Sequence, residues 1–260
     1  MQEVYLYQTV HILGGRSLHL PAHLAVLDRW SRELFGRPAG LRQQPLARQI
    51  EALAAQTAPA DCDLSQFVRI VVPASGDPAF RLESAGISLY RGYDLRSLMP
   101  DAVTLQYDMP FPEAPTSARE AAAGLARQQA RLHGASVAVR CDGDGIVRTA
   151  DNAPLFAVRG KTAFVSPAEA CVEQELGLRA VEAAGLELEE RPVMRDELPR
   201  FDELFYVDHR GVTALAHCDG HPCMAILAER VAQSLGGCFR KCRNRTGPAR
   251  AIFAGKPVSP

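Results

Sequence analysis

The stretch "SVAVRCDGDGIVRTADNAPLFAVRGKTAFVSP", residues 136–167, constrains the fold more than any other part of the chain. Ser136–Arg140 alternates as a strand does, and Asp142-Gly-Asp-Gly145 is a tight turn. The segment 143–167 then reads as turn, strand, kink, second strand and the start of a helix, with Arg159-Gly160-Lys161 as a further turn. Strands this short cannot satisfy their backbone groups alone, so the stretch has to lie in a sheet.

The flanking sequence supplies helices. Ser117-Ala-Arg-Glu120 and Ser166-Pro167-Ala-Glu169 both read as capping boxes, in which a hydroxyl and a carboxylate satisfy the free amides of a first turn. The first helix is expected to run to about Leu132, with Ala118, Ala121, Ala122, Leu125 and Leu132 on one stripe, and to end at His133-Gly134. The second is expected to end at Gly185. Strands are expected near Glu187–Val193 and Leu204–Val207, then a helix from about Pro222 to Leu235 and an irregular basic tail. Upstream, residues 3–11 read as a strand and Pro21 opens a helix to about Leu34, with Leu24, Leu27 and Leu34 on one face. A helix over Gln44–Gln56 and strands at Phe67–Pro73, Phe80–Tyr90 and Val103–Tyr107 follow.

"MPFPEAP", residues 109–115, holds three prolines in seven residues and reads as a linker. The expected organisation is a smaller N-terminal α/β domain (1–108), the Pro-rich linker (109–115) and a larger C-terminal α+β domain (116–260). A net charge of −1 offers no field for nucleic acid or an anionic membrane surface. No apolar run approaches the ~18 residues of a membrane helix, and the N-terminus lacks the pattern of a signal peptide. The seven cysteines, odd in number and scattered, read as reduced thiols of a cytoplasmic protein.

Several polar groupings could carry chemistry. His217, Cys218, Asp219, His221 and Cys223 include zinc-ligand types, but their spacing fits no standard tetrahedral site, and Asp219-Gly220 reads as a hairpin turn; no metal is expected. Cys238 and Cys242 sit in a basic stretch that reads as a frayed helix end, with a thiol pair or weak anion patch as the rival reading. Ser117 is a helix cap, without a His/Asp partner that would make it a nucleophile.

"ARQQARLHGASVAVRCDGDGIVRTADNAPLFAV", "GKTAFVSP" and "GLELEERPVMRDELPRFDELFYV", together with "YQTVHILGGRSLHLPAHLAVLDRW" in the N-terminal half, resemble the fold-type IV pyridoxal-phosphate (PLP) enzymes. This family holds branched-chain and D-amino-acid aminotransferases and aminodeoxychorismate lyase. The resemblance extends to about residue 225 and implies a two-domain α+β fold and a homodimer whose site lies between the domains. It also implies PLP held by a lysine imine, a carboxylate on the ring nitrogen and an arginine on the phosphate.

Carried across, the lysine position falls on Thr116, the carboxylate on Thr149 and the arginine on Val26. Cys171, Val172 and Glu173 stand where the phosphate would lie, and the loop after "DELF" becomes Asp208-His209-Arg210-Gly211. No lysine occurs before Lys161, and a threonine cannot form an imine.

The expectation is therefore a class IV aminotransferase-like protein, degenerate and without covalent PLP catalysis. It would bind a small anionic metabolite in the interdomain cleft, with Thr149, Asp208, His209 and Arg210 as pocket candidates. PLP remains the cofactor implied by the resemblance. One alternative is an active PLP-dependent aminotransferase or aminodeoxychorismate-lyase-type enzyme with an atypical site; a relocated imine at Lys161 is its form, set against the reading of Lys161 as an exposed turn lysine. Another is a metal or redox module built on Cys218, His221 and Cys223.

Overall fold

A computed structural model describes residues 3–57, 64–90, 92–96, 98–168 and 171–243, with side chains in the last helix described to residue 237. Alternating apolar residues make β1 (Tyr5–Leu13), which turns into the short β2 (Arg16–Ser17). Helices α1 (Leu20–Phe35) and α2 (Gln43–Thr57) follow, then β3 (Ser65–Pro73) and β4 (Arg81–Ser88). These strands form an antiparallel sheet in the order β2-β1-β3-β4. Helix α1 buries His23, Val26, Leu27 and Trp30. Leu24 and Leu34 are only half-buried, so the inward face is rotated from the leucine face expected.

The larger sheet begins with β5 (Asp101–Gln106), which pairs in parallel with β6 (Val137–Cys141) across helix α3 (Ser117–Leu132). It continues through β7 (Val147–Ala150), β8 (Ala153–Arg159) and β9 (Thr162–Val165). Helix α4 (Val172–Ala183), β10 (Glu187–Glu190), a 3-10 turn (Arg195–Arg200), β11 (Glu203–Asp208) and β12 (Gly211–Ala214) come next. The described chain ends with β13 (His217–Cys218), β14 (His221–Pro222) and α5 (Ile226–Arg243). Because β5 joins the larger sheet, the two sheets divide the chain between Ser88 and Asp101, and the Pro-rich stretch 109–115 connects β5 to α3.

Two features shape the middle of this sheet. Asp151 and Asn152 both adopt positive φ, 48° and 69°, which is a two-residue hairpin turn between β7 and β8. Beyond it, β8 pairs with β7 only through Thr149↔Pro154 and Ala150↔Ala153. From Leu155 to Val158 the ladder passes to β11. Proline lacks an N–H, so a change of partner at Pro154 is the kink that the sequence suggests.

One core spans the smaller sheet, α1, α2, α4 and α5 and includes Leu27, Trp30, Phe156 and Phe205. A second fills the other side of the larger sheet around Val139, Leu155 and Leu204. Under α3 a small cluster of Ala126, Ala130, Ala135 and Ala138 packs with the partly buried Val103, Leu105 and Tyr107.

Several expectations need correction. The cap of α3 is Thr116, whose Oγ1 accepts from the Arg119 amide at 3.2 Å. Ser117 instead bonds the Tyr5 amide and the Glu3 carbonyl. The alanine–leucine stripe faces outward, with Leu125 71% and Leu132 70% exposed, because α3 turns Ala123, Ala126 and Ala130 to the sheet. Of the second capping box, Glu169 lies outside the described residues; Ser166 Oγ accepts from the Val193 amide at 3.0 Å, and α4 starts at Val172, capped by Cys171. Helix α5 runs through Gly236-Gly237 to Arg243 rather than ending at Leu235.

Candidate functional site

A cavity of about 210 Å³ opens between the two sheets. β1 brings Tyr7, Gln8 and Thr9 to it, α1 brings Val26 and Trp30, and β3 brings Arg69. The other wall carries Glu113 and Pro115 before α3, then Arg119, Glu120, Ala123 and Arg127 from its first turns. The β7–β8 hairpin adds Asp151 to Pro154, α4 adds Cys171 and Glu173, and the β11–β12 hairpin adds Asp208, His209 and Arg210.

The charges of this wall largely neutralise one another. Arg69 pairs with Glu120 at 2.7 Å, Arg127 with Asp151 at 3.3 Å and Arg210 with Asp208 at 2.6 Å. Arg119 spends its donors on the carbonyls of Glu113 (3.2 Å) and Asn152 (2.9 Å). Burial pushes the Glu173 carboxyl upward, and Asp208 across the cavity adds to the effect. Burial opposes ionisation of Asp208 too, but His209, Arg210 and Arg96 outweigh it and hold its carboxyl below the usual range.

Histidines gather behind the wall. His23 Nδ1 lies 2.8 Å from Gln8 Oε1, and His11 Nε2 lies 2.8 Å from Ser65 Oγ. Burial drives His11 and His23 down to about 3, and His19 and His209 to about 4. All four are neutral at physiological pH and add no charge to the cavity.

The sequence-derived positions distribute as follows. Asp208, His209 and Arg210 come together at the wall, and Val26, Cys171 and Glu173 line it as well; Val172 is buried in the core. Thr149 is half-buried on β7, beside Pro154 of the wall. Thr116 is buried, with its hydroxyl used as the α3 cap. Among the described residues no lysine lines the cavity, and Lys161 is exposed in the β8–β9 turn.

The Cys/His stretch forms the β13–β14 hairpin, with Asp219 and Gly220 at positive φ in its turn. Asp219 is bound to the Thr104 amide and hydroxyl at 2.8 and 2.6 Å, and His217 pairs with Asp101 at 2.7 Å. Among the described residues, no group of three or more His, Cys, Asp or Glu could hold a metal. The side chains of Cys238 and Cys242 lie outside the described residues.

Sequence reasoning missed Arg119 and Glu113, which line the cavity, and the burial of Arg140, which does not line it. Arg119 sits three residues after the cap, where its backbone and side chain face the hairpin turn. For Arg140 the available sign is the periodicity of β6: Val139 and Cys141 point to one core, so Arg140 points to the other face.

No curated protein matches the chain. Solved structures do. The Escherichia coli branched-chain amino acid aminotransferase superposes with a TM-score of 0.72 at 16% identity, covering 91% of this chain and 86% of that one. A putative 4-amino-4-deoxychorismate lyase from Legionella pneumophila gives 0.71 at 14% identity, covering 91% and 90%. A fold IV-transaminase from Curtobacterium pusillum gives 0.69 at 17% identity, covering 90% and 84%. At these identities the likeness shows the fold. The profile of the family described as amino-transferase class IV matches residues 5–208, and the chain belongs to that family.

Proposed function

We propose that this family member holds a small anionic ligand non-covalently in the cleft between its sheets and does not carry out covalent PLP catalysis. The observation that carries this reading is a cavity wall whose described residues include no lysine amine. Imine chemistry needs a lysine at the cavity, and Lys161 stands exposed on the β8–β9 turn. At Thr116 the hydroxyl is already the helix cap.

The wall does not fit PLP in other respects. Glu173, in the first turn of α4, would face the phosphate, and the apolar Val26 offers it no cation. Thr149 has no charge with which to tune a ring nitrogen.

The purified protein mixed with PLP is expected to give no imine absorbance band, and borohydride no trapped adduct. A reduced adduct on any lysine, located by mass spectrometry, would overturn the proposal.

The same reading includes a homodimer in the cytoplasm. The free thiols of Cys141, Cys171, Cys218 and Cys223 support a reducing compartment. Light scattering that gave a monomer mass would remove the dimer.

A further inference from the structure

Arg127 differs from the other arginines of the cleft in what its guanidinium has left over. Arg69 lies 2.7 Å from Glu120 and stacks over the Tyr7 ring. Arg119 donates to the carbonyls of Glu113 and Asn152, and Arg210 turns Nε and a terminal nitrogen on Asp208. Arg127 lines the same cavity. Its closest approach to a carboxylate is through Nε, 3.3 Å from Asp151. Among the described residues its two terminal nitrogens make no hydrogen bond.

The helix aims this side chain. Glu120, Ala123 and Arg127 stand three and four residues apart on α3, so they share one stripe, and all three line the cavity. Of the Arg127 nitrogens, Nε alone is buried without a hydrogen-bond partner, so the two terminal nitrogens reach open space. The side chain is 43% exposed, which puts it where the cavity meets solvent. Asp151, in the β7–β8 turn, holds the inner edge of the guanidinium with one carboxylate oxygen, and its other oxygen accepts from the Ala138 amide at 3.5 Å.

A planar fork with both outer donors uncommitted matches a carboxylate in two-point contact. The surroundings select the charge of that ligand. The arginines of the wall do not outnumber its carboxylates, even with Glu173 neutral. A second negative charge on the ligand would therefore find no cation to offset it and would lie close to Asp151.

We propose that Arg127 holds the carboxylate of a singly charged ligand at the mouth of the cleft, through its two terminal nitrogens, while Asp151 fixes Nε. The proposal rests on the non-covalent reading above, and it places the anionic end of the ligand against α3 rather than at the start of α4. No bond is made or broken.

Trp30 is the single tryptophan and lines the cavity, so its fluorescence reports occupancy. Acetate and sulfate are titrated separately into the full chain at matched ionic strength. Acetate is expected to saturate the response, and sulfate to bind more weakly or not at all. Arg127→Gln is expected to weaken acetate binding about tenfold or more, since charge-assisted contacts are the strong ones. Its melting temperature without ligand is expected to stay close to that of the wild type, whereas a purely structural arginine would lower it. Arg127→Lys keeps the charge without the fork and is expected to bind acetate with intermediate affinity. Arg159→Gln, at the exposed end of β8, is expected to bind as the wild type does.

No saturable response to acetate in the wild type, sulfate binding at least as tight as acetate, or unchanged acetate affinity in Arg127→Gln overturns the proposal. Should Arg127→Gln not fold, unchanged affinity in Arg127→Lys does so, and weakened affinity supports it. An imine with PLP would remove the non-covalent reading, while acetate titration of the PLP-free protein reads Arg127 separately.

Discussion

Arg96 and Arg140 are both buried, 7% and 4% exposed, yet their surroundings are opposite. Arg96 braces the β11–β12 hairpin: it donates to the Tyr206 hydroxyl at 3.2 Å and to the Thr213 hydroxyl, and lies 3.5 Å from Asp208. Arg140 has no such partner among the described residues. The difference separates two uses of a buried cation. One is enclosed by the partners that it braces; the other lies on a central strand with the like charges of Arg119 and Arg148 near it.

The hairpin side is also where the histidines lie, and acid should break that side first. His11, His23, His19 and His209 have folded pKa values of about 3, 3, 4 and 4 against 6.5 unfolded. The unfolded chain then binds more protons below pH 6.5, so stability is full above that value and falls as the pH drops toward 4. His11 and His23 alone should remove about 3 kcal/mol per pH unit across this window. Urea midpoints at pH 7, 6 and 5 should fall steeply; a flat profile would mean that the histidines are not buried as described.

Next in size is Arg96→Met. Losing the brace leaves Tyr206, Thr213 and one side of Asp208 without it, at a cost of roughly 3 kcal/mol. Arg140→Met should not share that cost, and equal losses in chemical denaturation would erase the distinction between the two arginines. Thr116→Ala should cost about 1 kcal/mol by uncapping α3, and Thr116→Ser should restore most of it. Smallest is Arg32→Gln. Its ion pair with Asp28, 2.8 Å long, lies on an exposed face, and its loss should stay within about 0.5 kcal/mol. A larger effect would show that exposure is not what governs the worth of an arginine here.

Much of the fold could be read from the residues. The run of turns from Asp142 to Pro167 marks out the strands of the larger sheet, because glycine and Asx residues at turns act locally. Pro21 and Gly185 likewise mark the bounds of helices. The failures were tertiary. Ser166 has the sequence of a cap, but the Val193 amide competes for its hydroxyl. The alanines and leucines of α3 could mark either face, and small alanines let the helix sit close to β6, leaving Leu125 and Leu132 outside. At the site, Asp208, His209 and Arg210 were legible as a loop cluster. The burial of Arg140 was not, because the alternation of Ser136–Arg140 stops at the arginine, and a residue at a strand's end is taken as solvated. The strand runs on to Cys141, which draws Arg140 inside.

The commitment of Thr116 to its helix has an evolutionary corollary. Placing a lysine there would remove the oxygen that receives the Arg119 amide and bring an ammonium toward the Arg119 guanidinium. An ancestral amine, if this lineage once had one, cannot return by a single codon change without loosening the helix behind it.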